Sequence, residues 1–187
     1  IDLSAVASGS GGFVINGQWG FDLSGSSIAS AGDVNGDGLA DLIVGAYQSD
    51  PASGNNAGRS YVVFGQSNTT AIDLSAVASG SGGFVINGHS YGDQSGVSVA
   101  SAGDVNGDGL ADLIVGAYGS SPAGGFDAGR SYVVFGQFNT NAIDLSAVAS
   151  GSGGFVINGE CARDYSGFSV ASAGDVNGDG LADLIVG

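Results

Sequence analysis

Asp33-Val34-Asn35-Gly36-Asp37-Gly38-Leu39-Ala40-Asp41-Leu42-Ile43-Val44-Gly45 is the stretch on which the reading of this chain turns. Its first nine residues place side-chain oxygens at positions 1, 3, 5 and 9. Gly38 at position 6 lets the backbone turn sharply, so that the Leu39 carbonyl at position 7 can face the same point. Calcium takes six to eight oxygen ligands, and this spacing offers such a set. The run Leu42-Ile43-Val44 that follows is continuously apolar, as in a strand covered on both faces. The stretch therefore reads as a metal-binding loop that feeds a buried strand.

The same thirteen residues recur from Asp104 and from Asp175, and IDLSAVASGSGGFVING begins at Ile1, Ile72 and Ile143. Both series have a spacing of 71 residues, so the chain divides into repeats 1–71 and 72–142 and a partial repeat 143–187. Each period carries four strand signals. In the first these are Ser27–Val34, Asp41–Tyr47, Arg59–Phe64 and Gly83–Asn87, joined by links of Gly, Ser and Asn. Leu3–Val6 reads as one short helical turn. Four short antiparallel strands per repeat, apolar on both faces, predict an all-β fold of propeller-type blades that stack on one another. The count gives two complete blades, with an orphan fourth strand at Gly12–Asn16 before them and an orphan strand pair after them. The expectation is a fragment of a longer protein, or a unit of an assembly that pairs through its open strand edges.

Composition narrows the function. The net charge is −15, with Arg59, Arg130 and Arg163 as the only basic residues and no lysine. Such a surface repels phosphate backbones, so nucleic-acid binding is excluded as an expectation, and no run is long enough to insert in a membrane. The 43% hydrophobic content against 11% charged argues for a folded core. One cysteine, Cys161, permits no internal disulfide. One histidine, His89, permits no histidine-based triad or zinc site, and it is expected to be a solvated loop residue. Arg59 and Arg130 recur at one strand position, where they are expected to bond carbonyls or an Asp. Nothing recurrent pairs a nucleophile with a base, so no enzyme is expected. Asn68-Thr69-Thr70 matches a glycosylation sequon.

Nine of the eighteen acidic residues sit in the three Asp-rich loops. Asn-Gly and Asp-Gly turns explain the centre of the loop. They do not explain Asp at positions 1 and 9 three times over. The expected metal ligands are Asp33, Asn35, Asp37, the Leu39 carbonyl and Asp41; Asp104, Asn106, Asp108, Leu110 and Asp112; and Asp175, Asn177, Asp179, Leu181 and Asp183. About three calcium ions are expected, one per loop. The loop is not an EF-hand, because position 12 is Val44 within an apolar strand, where an EF-hand needs a Glu on a helix.

At these residues a family resemblance appears. SGVSVASAGDVNGDGLADLIVGAY, Ser95 to Tyr118, resembles an FG-GAP repeat, the blade unit of the integrin α-subunit propeller and of bacterial extracellular repeat proteins. The FG dipeptide reads Ser-Gly here (Ser24-Gly25, Ser95-Gly96, Ser166-Gly167), and GAP reads Gly-Ala-Tyr. The resemblance implies a seven-bladed ring, an extracellular or cell-surface location, an adhesive or ligand-binding role, and calcium at the loop positions named above.

The repeats differ mainly in two loops. One precedes the first strand, at Gln18–Leu23, His89–Gln94 and Glu160–Tyr165. The other joins the second and third strands, at Gln48–Asn56 and Gly119–Asp127. Both should emerge on the side opposite the Asp loops. They carry Trp19, Phe21, Tyr91, Phe126 and Tyr165, an expected face for a protein or glycan ligand.

Overall fold

A computed structural model describes residues 2–187. The elements run α1 Leu3–Ala7, β1 Ile15–Asn16, β2 Ser27–Gly32, β3 Asp41–Ala46, β4 Arg59–Val63, β5 Ile72–Asp73, α2 Leu74–Ala78, β6 Gly83–Asn87, β7 Val99–Gly103, β8 Asp112–Ala117, β9 Arg130–Val134, β10 Ile143–Asp144, α3 Leu145–Ala149, β11 Gly154–Asn158, β12 Val170–Gly174 and β13 Asp183–Val186. The first blade is β6-β4-β3-β2 and the second is β11-β9-β8-β7, each antiparallel throughout. β12 and β13 form the first two strands of a third. The architecture is all-β and blade-like, as the repeat predicts, and the described residues do not close a ring. The first strand of each blade ends two residues earlier than the sequence suggests, at Gly32. The ladder shifts register between Ser30 and Gly32, and Gly32 takes a φ of 77°. That glycine turns the chain out of the sheet and into the Asp loop.

Alternate side chains of each blade point to opposite faces, and the repeat uses both. Ala31, Ile43, Val62, Phe84 and Ile86 of the first blade pack on Val99, Leu113, Val115, Tyr132 and Val134 of the second. The other face of the second blade, with Ala102, Ile114 and Val133, packs on Val170, Leu184 and Val186 of the third. The blades come close enough that a Cβ on Gly45 would run into the Gly96 carbonyl, and one on Gly116 into that of Gly167. Glycine is required there by proximity to the next blade.

The IDLSAVA segment has a role the strand count misses. Ile72–Asp73 pairs in parallel with Ile15–Asn16, and Ile143–Asp144 with Ile86–Asn87. The start of each repeat thus borders the outermost strand of the repeat before it. The Asn16 amide donates to Asp73 at 2.8 Å, and that of Asn87 to Asp144 at 2.9 Å. The short helix that follows buries Leu74 and Val77, or Leu145 and Val148. Its first copy buries nothing, and Leu3 is exposed. The orphan strand is also shorter than expected, Ile15–Asn16 in place of Gly12–Asn16.

Candidate metal loops and ligand face

Each Asp loop is ordered by its own side chains. Asp33 Oδ1 accepts from the Gly36 and Asp37 amides at 2.8 and 3.1 Å, and its Oδ2 from Gly38 at 2.9 Å. Asn35 accepts from the Asp37 amide, and Asp37 from the Leu39 amide and the Asn35 side chain. The second loop repeats these bonds residue for residue from Asp104 to Leu110. The third differs at one point: Asn177 donates to Asp183 instead of to Asp179.

Asp41 behaves differently from the rest of its loop. It is fully buried, and its two oxygens accept from the Val34 amide at 2.9 Å and the Gly65 amide at 2.8 Å. One carboxylate therefore ties the loop's entrance to the end of β4. Asp112 does the same with Val105 and Gly136. Burial pushes both carboxyls above the usual carboxylate range, and the charges of Asp37 and Asp33, or Asp108 and Asp104, add to the rise. Asp183 is half-buried and keeps the first of these backbone bonds, from Val176 at 2.8 Å, while its other oxygen accepts from the Asn177 side chain at 3.3 Å.

The donor set fits an oxygen-seeking cation in kind: three carboxylates, one amide oxygen and one backbone carbonyl per loop. The carbonyls of Leu39, Leu110 and Leu181 accept no hydrogen bond among the described residues. Carboxylate oxygens that accept a single bond, such as Asp33 Oδ2 and both oxygens of Asp41, retain a further lone pair, whereas Asp33 Oδ1 already accepts two. The side chains nevertheless face loop amides, and among the described residues no group of three or more Asp, Glu, His or Cys side chains is gathered as a metal site. The first loop also cross-links neighbouring blades: Ala111 donates to the Asp33 carbonyl and Gln137 to that of Val34, both at 2.9 Å.

All five aromatic residues of the expected ligand face are exposed, but they are not one patch. Trp19 and Phe21 line a cleft with Asp22 on the first blade. Tyr91 and Phe126 line a larger one on the second, where the two variable loops meet. Tyr165 lies against Tyr118, with ring centroids 6.1 Å apart, and joins the second blade to the third.

His89 is not a solvated residue. It is half-buried, with Nδ1 3.1 Å from both the Tyr132 hydroxyl and Arg130 Nη1. Gln18 holds the same place on the first blade, where its Oε1 accepts from Arg59 at 3.1 Å and Tyr61 at 2.7 Å. The two arginines bond Asn87 and Asn158 through Nε, in place of the carbonyl or Asp expected. Beside them lies a buried carboxylate that the sequence reading passed over, Asp22 or Asp93. Its signal was available: Asp stands at 22, 93 and 164, the fixed point of an otherwise varied loop.

The FG-GAP repeat matches residues 24–63, 95–134 and 166–187, more than half of the chain. The chain belongs to the FG-GAP repeat family. Each match starts at the Ser-Gly pair and takes in the first strand, the Asp loop and the second strand, so it covers the part of the repeat that stacks blades. Repeats of this family are typical of extracellular, adhesion-type modules. The chain is also similar to phosphatidylinositol-glycan-specific phospholipase D of Rattus norvegicus, 39% identical over 90 residues, and of Mus musculus, 38% identical over 90 residues. In both cases the match covers 48% of this chain and 10% of the relative. The chain spans about a tenth of the length of the curated relatives it matches. No helix among the described residues is long and apolar enough to cross a membrane.

Proposed function

We propose that this chain is a calcium-binding, non-catalytic module of an extracellular or cell-surface repeat protein. Calcium stiffens the Asp loops, and the opposite loop face takes the ligand. The observation that carries the reading is the thrice-repeated loop in which all donors are oxygens and the position-7 carbonyl is uncommitted. Asp33, Asn35, Asp37, the Leu39 carbonyl and Asp41 would hold the ion in the first loop. Asp104 to Asp112 and Asp175 to Asp183 would do so in the others. Because the first loop also bonds the next blade, an ion there would fix that joint between blades as well as the loop. The similarity to the phospholipases spans too little of those proteins to bring their activity to this chain.

Calorimetric titration of calcium, paired with thermal unfolding in calcium and in chelator, tests the reading. Binding to the folded loop alone stabilises by about 2.7 kcal/mol per site at a hundred times Kd, or about 8 kcal/mol for three. About three ions and a large fall in melting temperature on chelation are expected. No heat of binding and an unchanged melt would overturn the calcium reading.

A second reading is favoured by the two ends of the stack. Ile28, at 70% exposure, and the partly buried Leu42 lie on a face whose equivalents Val99 and Leu113 are buried in the second blade. Ile185, at 59% exposure, is the equivalent of the buried Ile43 and Ile114. The chain thus covers one end face with the other at each internal joint, and a second copy could repeat the contact head to tail. The joint in such a self-assembling filament would be blade face on blade face, where the sequence alone suggested strand edges.

A further inference from the structure

We propose that the cleft between the 89–93 and 119–127 loops of the second blade binds a neutral pyranose sugar. The proposal names an occupant for the varied face, and so rests on the reading that this face takes the ligand. The cavity measures about 490 Å³, within the roughly 300–1,000 Å³ of small-molecule sites. Its floor carries His89, Asp93 and Arg130, and its rim Tyr91 and Phe126.

The hydrogen-bonding capacity of the floor follows from its contacts. A guanidinium can only donate, so His89 Nδ1, 3.1 Å from Arg130 Nη1, is an acceptor and carries no proton. The ring proton therefore sits on Nε2, which has no partner among the described residues. Burial and the Arg130 charge both lower the imidazole's pKa, which keeps it neutral. Arg130 commits Nε to Asn158 and Nη1 to His89 and Tyr132, which leaves its second terminal nitrogen uncommitted. Asp93 is 4% exposed and holds the Ser90 amide at 3.2 Å, with acceptor capacity left over.

A carboxylate beside a guanidinium and an N–H donor suits adjacent hydroxyls, which donate to the first and accept from the others. Tyr91 and Phe126, 75% and 66% exposed, offer aromatic surface to the C–H face of a sugar ring. The net charge of −15 and the Asp127 carboxylate disfavour an acidic sugar, while Arg130 disfavours a cation. The first blade does not share the site. Gln18 accepts from both Arg59 and Tyr61, and neither Gln18 nor Arg59 lines the cleft beside Trp19.

The test is saturation-transfer NMR on the whole chain in calcium. The probes are glucose, galactose, mannose and N-acetylglucosamine, with N-acetylneuraminic acid as the acidic counter-probe. At least one neutral sugar should bind with a Kd of about a millimolar, and Tyr91→Ala and Phe126→Ala should each weaken it about tenfold or more. Trp19→Ala should leave it unchanged. Both rim residues are exposed, so unaltered melting of the variants would show them folded. Absence of transfer from every neutral sugar, equal binding by the rim variants, or preference for the acidic sugar would each overturn the proposal. Calcium uptake is scored separately by calorimetry, so loss of the sugar site alone leaves the calcium reading standing.

Discussion

Asp41→Asn separates two roles that the Asp loop combines. The Asp41 carboxylate is buried and accepts two backbone amides, at 2.8 and 2.9 Å, from chain segments 24 and 7 residues away. Hydrogen bonds to a charged acceptor contribute about 1.5–3 kcal/mol each. An asparagine keeps one acceptor and turns an NH2 toward the other amide, so one bond is lost and two donors face each other. Relief of the buried charge, which raises the Asp41 pKa, offsets part of the loss. The net destabilisation expected is about 2 kcal/mol, or roughly 4–8 °C in melting temperature for a chain of this size. Asp37→Asn should cost well under 1 kcal/mol without metal, because its loop is exposed and water can replace its partners. The chain supplies its own control, since Asp183 lacks the second backbone amide, with the Asn177 side chain at 3.3 Å in its place, and is half-buried. Asp183→Asn should therefore cost far less than Asp41→Asn or Asp112→Asn. The assay is calorimetric melting in chelator, followed by calcium titration of each variant. Without metal the order Asp41 ≈ Asp112 > Asp183 ≥ Asp37 is expected, while Asp37→Asn still weakens one calcium site. Equal melting of Asp41→Asn and wild type in chelator would refute the structural role of position 9.

Two further predictions concern charge and assembly. Burial raises the Asp93 pKa to about 6 from 3.8, so the folded chain holds a proton that the unfolded chain releases, and this contribution to stability falls as pH rises from about 4 to 6. Asp93→Asn in chelator should therefore gain on wild type by about 1–2 kcal/mol between pH 4.5 and 7.5; His89, whose lowered pKa acts in the opposite direction, is common to both chains and cancels. A constant difference across that range would refute it. For assembly, sedimentation of the wild type should show growth with concentration, while Ile28→Asp and Ile185→Asp should each be monomeric alone and form discrete dimers when mixed. A mixture that stays monomeric would exclude the face-to-face joint.

The 71-residue spacing and the apolar runs were enough to place β3, β4 and β6 and to count the blades, because a strand covered on both faces leaves a continuous hydrophobic signature. Three features were not legible, each for the same kind of reason. The parallel pairs of Ile72–Asp73 with Ile15–Asn16 and of Ile143–Asp144 with Ile86–Asn87 lie 57 residues apart in register, and two-residue strands carry no pattern of their own. The sequence showed Asp41 as a fourth oxygen in a spacing. Only the fold reveals that Gly65 brings it an amide from the far end of β4, so that a residue read from the sequence as a metal ligand serves as a buried strut. His89 looked solvated because it stands in a variable loop; its burial comes from Tyr132 and Arg130, over 40 residues later. Local pattern fixes what a residue can donate or accept, and the partners that decide its role arrive through blade stacking. The Asp loops and the second-blade cleft therefore share a dependence that the repeat alone conceals. Each is completed by strands or loops distant in sequence, and the third repeat keeps the Asp-loop motif without its second strand amide, and of the cleft only Asp164, which still holds the Cys161 amide.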